Sequence, residues 1–68
     1  MATITRGTPV KVKTAGGTFL DKVASSGPQR GVDIEVVWVC RPEEWEAAQQ
    51  EERDPDCVPW PSYAVEAA

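Results

Sequence analysis

The chain has 68 residues, 41% of them apolar and 26% charged, with a net charge of −4, two cysteines and no histidine. A chain this short buries only about 60% of the surface its unfolded form exposes, which supports a single small domain over residues 1–68 and excludes a second core. Its longest uninterrupted apolar run, Val36 to Cys40, falls far short of the roughly 20 residues that cross a bilayer, and Met1–Arg6 carries no apolar stretch of signal-peptide length, so a cytoplasmic protein with no membrane association is expected.

Residues 1–6 are expected to form a flexible N-terminus. Thr8 to Lys13 then alternates apolar and polar with β-branched residues, which predicts a strand with Val10 and Val12 inward and Lys11 and Lys13 outward. Thr14-Ala15-Gly16-Gly17 supplies a hairpin turn, and the chain returns along Thr18 to Ala24. Leu20 and Val23 differ in parity, so a bulge near Asp21 is expected to bring both to the core. Ser25 to Gly31 is a second turn region, dense in residues that break regular structure.

Val32 to Arg41 is the strongest predicted strand. Val32, Ile34, Val36, Trp38 and Cys40 form one apolar face, while the other runs Asp33, Glu35, Val37, Val39; the second half is apolar on both sides, so Val37 and Val39 need a cover. A helix over 42–53 is the expected cover. Pro42 suits a first helical position, Glu43 and Glu44 favour the positive helix end, and Asp54 before Pro55 disfavours continuation. Trp45 and Ala48 form its thin apolar stripe. Asp54 to Pro61 is too rich in proline for a central strand and reads as an extended edge with Val58 and Trp60 turned inward. Ala64-Val65-Glu66 is a short closing strand, with Ala67 and Ala68 frayed.

The predicted fold is therefore mainly β with one helix: a three-stranded antiparallel meander, an acidic helix and a short closing strand, rolled into a small, partly open SH3-like barrel. Its expected core is Val10, Val12, Leu20, Val23, Ile34, Val36, Trp38 and Trp60. A core of this size rarely yields more than about 3–5 kcal/mol, so a homodimer would be a natural supplement.

The residue inventory argues against an enzyme. Without histidine, Ser25, Ser26, Ser62 and both thiols lack their usual activating base, and a chain of 7.4 kDa has little volume for a cleft that could desolvate one of its clustered carboxylates. Gly16-Gly17 lacks the Lys-Ser or Lys-Thr of a phosphate loop. No cofactor is implied, and no metal, since a structural zinc site takes four ligands and one chain offers two cysteines. In a reducing compartment Cys40 and Cys57 stay free, with Cys40 a small core residue; in a secreted chain a disulfide between them would add about 3 kcal/mol.

The string Val37-Trp38-Val39-Cys40-Arg41-Pro42-Glu43-Glu44-Trp45-Glu46, together with Val58-Pro59-Trp60-Pro61 and a valine shortly after, resembles small uncharacterised proteins of actinobacteria, their phages and integrated elements. The resemblance spans residues 7 to 66 and departs at Ser62-Tyr63-Ala64, where acidic residues are expected. It implies a short β-barrel with an acidic helix and the setting of a phage or mobile-element accessory protein that meets a host protein. It carries no functional residue.

Charge divides the chain at Pro42: residues 1–42 sum to +3 and residues 43–68 to −7. The leading reading is a non-catalytic protein-binding module whose acidic helix, through Glu43, Glu44, Trp45, Glu46 and Glu51, meets a basic host partner. The alternative makes Lys11, Lys13, Lys22 and Arg30 a nucleic-acid surface with Phe19 or Tyr63 as a stacking platform. Nucleic acid is the less favoured partner, because the acidic half repels the same phosphates. A third reading lets the acidic run mimic nucleic acid.

Overall fold

The computed structural model describes residues 4–68. Six antiparallel strands and one helix follow in the order β1 Pro9–Lys13, β2 Phe19–Ala24, β3 Gln29–Arg30, β4 Glu35–Cys40, α1 Pro42–Glu51, β5 Val58–Pro61 and β6 Val65–Ala67, with a 3₁₀ turn at Ser62–Ala64 before the last strand. The sheet runs β6-β1-β2-β4, and β3 and β5 also pair with β4. Val36 pairs with both Gln29 and Pro61, and Val39 with both Ala24 and Val58. Hence β2 and β3 share one edge of β4 and β5 takes the other. The sheet curls into a half-barrel, a small mainly β fold with one helix.

The interior follows from period-two patterning on a curled sheet. Val10, Val12, Ala24, Val37, Val39 and Val65 form one buried cluster, with Ile4 and Trp60 packed against it. Fully burying a valine contributes about 1.5–3 kcal/mol, so this cluster is the principal source of stability. Ile4 belongs to the expected flexible stretch yet is anchored here, and Met1–Thr3 lie outside the described residues. At the other end Ala67 is in β6 and the Ala68 N–H donates to Pro9 O at 3.0 Å, so the chain end is tied down rather than frayed.

The expected face of the central strand is reversed as far as Trp38, while Cys40, on that same expected face, is buried as a small core residue. Val37 and Val39 look into the barrel, whereas Trp38 (37% exposed) and Ile34 (46%) lie on the surface, Val36 is half-buried and Val32 is fully exposed. Glu35 shares the parity of Val37 and Val39 but is exposed at the strand's start. Its charge marks the rim of the core and says nothing about the face beyond it. The strand is also shorter than Val32–Arg41. Gln29–Arg30 fold back as β3 around a tight turn closed by Gly31 N–H to Ile34 O at 2.7 Å. A Cβ on Gly31 would sit 2.5 Å from that carbonyl oxygen, so the approach requires glycine.

β1 and β2 pair without interruption from Pro9↔Val23 to Lys13↔Phe19, so there is no bulge at Asp21: Leu20 lies opposite Val12 yet is 45% exposed, and Val23 is buried on the other face, opposite Cys40. The irregularity lies at Ser25–Pro28, where the register against β4 shifts by two residues between β2 and β3. Val58, expected inward, is 51% exposed on the edge strand. Prolines at alternate positions 59 and 61 fit that edge, because every second residue of a strand turns its N–H away from a given neighbour.

Helix α1 lies on β2 rather than over Val37 and Val39, and buries Ala48. It stops at Glu51, two residues before the expected Arg53, in a Schellman arrangement: Arg53 N–H donates to Ala48 O and Glu52 N–H to Gln49 O, with Glu52 left-handed at φ 53°. Trp45 is half-buried against Gly7, and the Arg6 guanidinium stands 5.2 Å from its ring centroid. Such stacking is worth about 0.5–1 kcal/mol at an exposed site.

Candidate functional site

The acidic helix does not present its carboxylates as one surface. Glu44 sits in the first turn, and its Oε2 and Oε1 accept from the two terminal nitrogens of Arg53 at 2.6 and 3.3 Å; Oε2 also accepts the Asp56 N–H at 2.9 Å. Arg53 Nε reaches Glu51 at 3.0 Å. Those bonds, the Arg53 guanidinium first and the Asp56 N–H second, hold the Glu44 carboxyl down at about 2 and raise Arg53 in turn. Glu44 and Glu51 thus fasten the returning loop to the helix, and Trp45 is engaged with Arg6 and Gly7. Glu43 and Glu46 are exposed; the 3.9 Å pair of Glu43 with Arg41 is too open to solvent to hold either side chain firmly.

The basic set is dispersed and matched. Lys11 stands between Asp21 and Glu66 on the neighbouring strands, and Arg30 is directly opposite Glu35. Lys22 borders a small depression together with Glu44 and Asp56. Lys13 pairs across the ladder with Phe19, and Lys22 with Val10.

Lys13 also borders a mainly apolar groove of about 510 Å³ where the half-barrel is open. One wall is the β1–β2 hairpin end, Lys13, Thr14 and Ala15; the other is Trp60, Pro61, Tyr63 and Ala64. Each wall is fixed locally. The Thr14 and Thr18 hydroxyls bond at 2.7 Å, Thr14 N–H donates to Thr18 O, and Gly17 completes the turn at φ 85°. Across the opening Trp60 Nε1 donates to Lys13 O at 3.2 Å, which joins β5 to the hairpin and turns the indole edge into the groove wall. Pro61 leads into the 3₁₀ turn, and that turn lifts Tyr63 to 82% exposure.

A rigid proline, a half-buried tryptophan and a projecting tyrosine can receive an apolar or proline-bearing segment by stacking, with Lys13 at the border for an acceptor. Sequence reasoning placed Tyr63 only as a platform for bases and Trp60 only in the core. The available signal was Trp60-Pro61-Ser62-Tyr63, two aromatics flanking a proline turn. A second depression, beside Arg6, Gln49, Glu52 and Arg53, is lined mainly by polar atoms. No helix is long and apolar enough to cross a membrane, and no group of three or more metal-ligating side chains occurs among the described residues. No family model, curated protein or solved structure matches the chain.

Proposed function

We propose that this protein is a non-catalytic interaction module, a small barrel of the SH3-like kind that takes an extended segment of a partner protein in the groove between the β1–β2 hairpin and Trp60–Ala64. The observation that carries this reading is Tyr63, an aromatic ring 82% exposed beside Trp60 and Pro61 in an apolar concavity. Rigid aromatic rings give contact area at low entropic cost and are enriched among residues that dominate binding. Exposed Glu43 and Glu46 add a negative surface that speeds encounter with a basic partner. By its resemblance in the β4–α1 and β5 strings, the setting is a phage or mobile-element accessory protein acting on a host protein.

Nucleic acid is the second reading, favoured by Lys13 and Tyr63 sharing one groove and opposed by the carboxylates beside Lys11, Lys22 and Arg30. One experiment separates them: titration of the isotopically labelled chain with a pool of extended proline-containing peptides and, separately, with single-stranded DNA. Peptides are expected to shift the Trp60 indole and Tyr63 signals, with binding weakened about tenfold by Tyr63→Ala. Salt-sensitive DNA binding abolished by Lys13→Glu would transfer the groove to the second reading. Perturbations confined to Glu43 and Glu46 would move the interface to the helix and overturn the groove assignment.

A further inference from the structure

Two thiols that the groove does not use face each other at the other end of β4. The β4–β5 ladder pairs Val36 with Pro61, Val37 with Trp60, Trp38 with Pro59 and Val39 with Val58; continuing it by one residue brings Cys40 opposite Cys57. Directly opposed residues of an antiparallel pair stand about 4.5 or 5.5 Å apart at Cα, according to their place in the hydrogen-bond pattern. Both spacings fall in the roughly 4.4–6.8 Å range that a disulfide spans.

We infer that Cys40 and Cys57 form a reversible cross-strand disulfide site that closes over helix α1 and its returning loop. Both sulfurs are free thiols, Cys40 buried and Cys57 half-buried. They already interact. Cys57 is among the groups that push the Cys40 thiol up to about 11, after burial, which is the larger cause. Cys40 donates to Val23 O at 3.6 Å and Cys57 to Pro55 O at 3.2 Å, so each has a partner in the reduced form. The small depression bordered by Lys22, Cys40, Glu44 and Asp56 opens beside the pair.

The oxidant is a small-molecule disulfide such as oxidised glutathione. Cys57, the more accessible sulfur, loses its proton to solvent and attacks one glutathione sulfur; the glutathione S–S bond breaks, Cys57–glutathione forms, and one glutathione thiolate leaves and takes up a proton. Cys40 then loses its proton and attacks the Cys57 sulfur. The Cys40–Cys57 bond forms as the second glutathione departs and is protonated. Two thiols are oxidised to one disulfide, and one glutathione disulfide is reduced to two thiols. Burial of Cys40 slows the second step, so the mixed disulfide accumulates first.

The test equilibrates the full reduced chain with glutathione redox buffers, under native conditions and in denaturant, and reads products by mass. The expected result is a monomer lighter by two hydrogens, formed about a hundredfold more favourably in the native state than in the denatured one. Cys40→Ser is expected to stop at one glutathione adduct on Cys57. Equal native and denatured equilibria, or a native chain that ends with separate adducts or linked dimers, would overturn the inference. Circular dichroism of the Ser variants distinguishes loss of the site from loss of the fold.

Discussion

The interior of the half-barrel and the corner where α1 meets its returning loop are held by different forces. The interior is six small apolar side chains, four of them valines under 2% exposed, and depends on excluding water. The corner is polar, with Glu44 receiving Arg53 and the Asp56 N–H under a left-handed Glu52. Apolar burial carries no charge to screen or protonate, while exposed ion pairs are weakened by salt and by acid. Conditions should therefore loosen the corner before the barrel.

The largest effect that separates the two regions is Val37→Ala, expected to cost about 2–3 kcal/mol through lost transfer energy and a residual cavity. The same change at fully exposed Val32 should stay within about 0.5 kcal/mol. Denaturant midpoints of the two variants decide whether Val37 is in the core while Val32 is outside it, and equal losses would break the assignment. At the corner the sign reverses. Glu52→Gly relieves a left-handed residue that bears a Cβ and should stabilise the chain by about 0.5–1 kcal/mol, seen as a higher thermal midpoint.

The smallest expected effect is a pH dependence. Glu44 is held at about 2 when folded against an ordinary value of 4.5, so its contribution is present above pH 4.5 and is lost as pH falls from there through 2. Glu44→Gln should flatten the acid limb of a stability-against-pH curve, and added salt should shrink the difference between the two proteins. An unchanged acid limb would show that Arg53 and the Asp56 N–H do not hold the carboxylate in solution.

These contrasts also explain how far the sequence could be read. Strict alternation at Val10 and Val12, with glycines at a turn and proline before a carboxylate-rich start, leaves one interpretation, and β1, the hairpin and α1 follow from it. Val36 to Cys40 is apolar at every position, so periodicity cannot choose its face; the charges of Asp33 and Glu35 point to the wrong side because both lie beyond the core's edge. The groove was hidden for a different reason. Its walls come from residues 13–15 and from Trp60, Pro61, Tyr63 and Ala64, far apart in sequence and brought together by the pairing of β6 with β1 and the bond from the Trp60 indole to Lys13 O.

The prolines of β5 have one more effect. An open sheet ordinarily offers its free edge as a template for another copy, and cross-strand stacking of that kind leads to fibres. Here Pro59 and Pro61 stand where a strand residue would turn its N–H to the free edge, so β5 offers no donor at either position, and the edge strand at the other end, Val65–Ala67, is only three residues long. The opening that exposes Tyr63 can therefore stay unsealed at high concentration without becoming a site of aggregation.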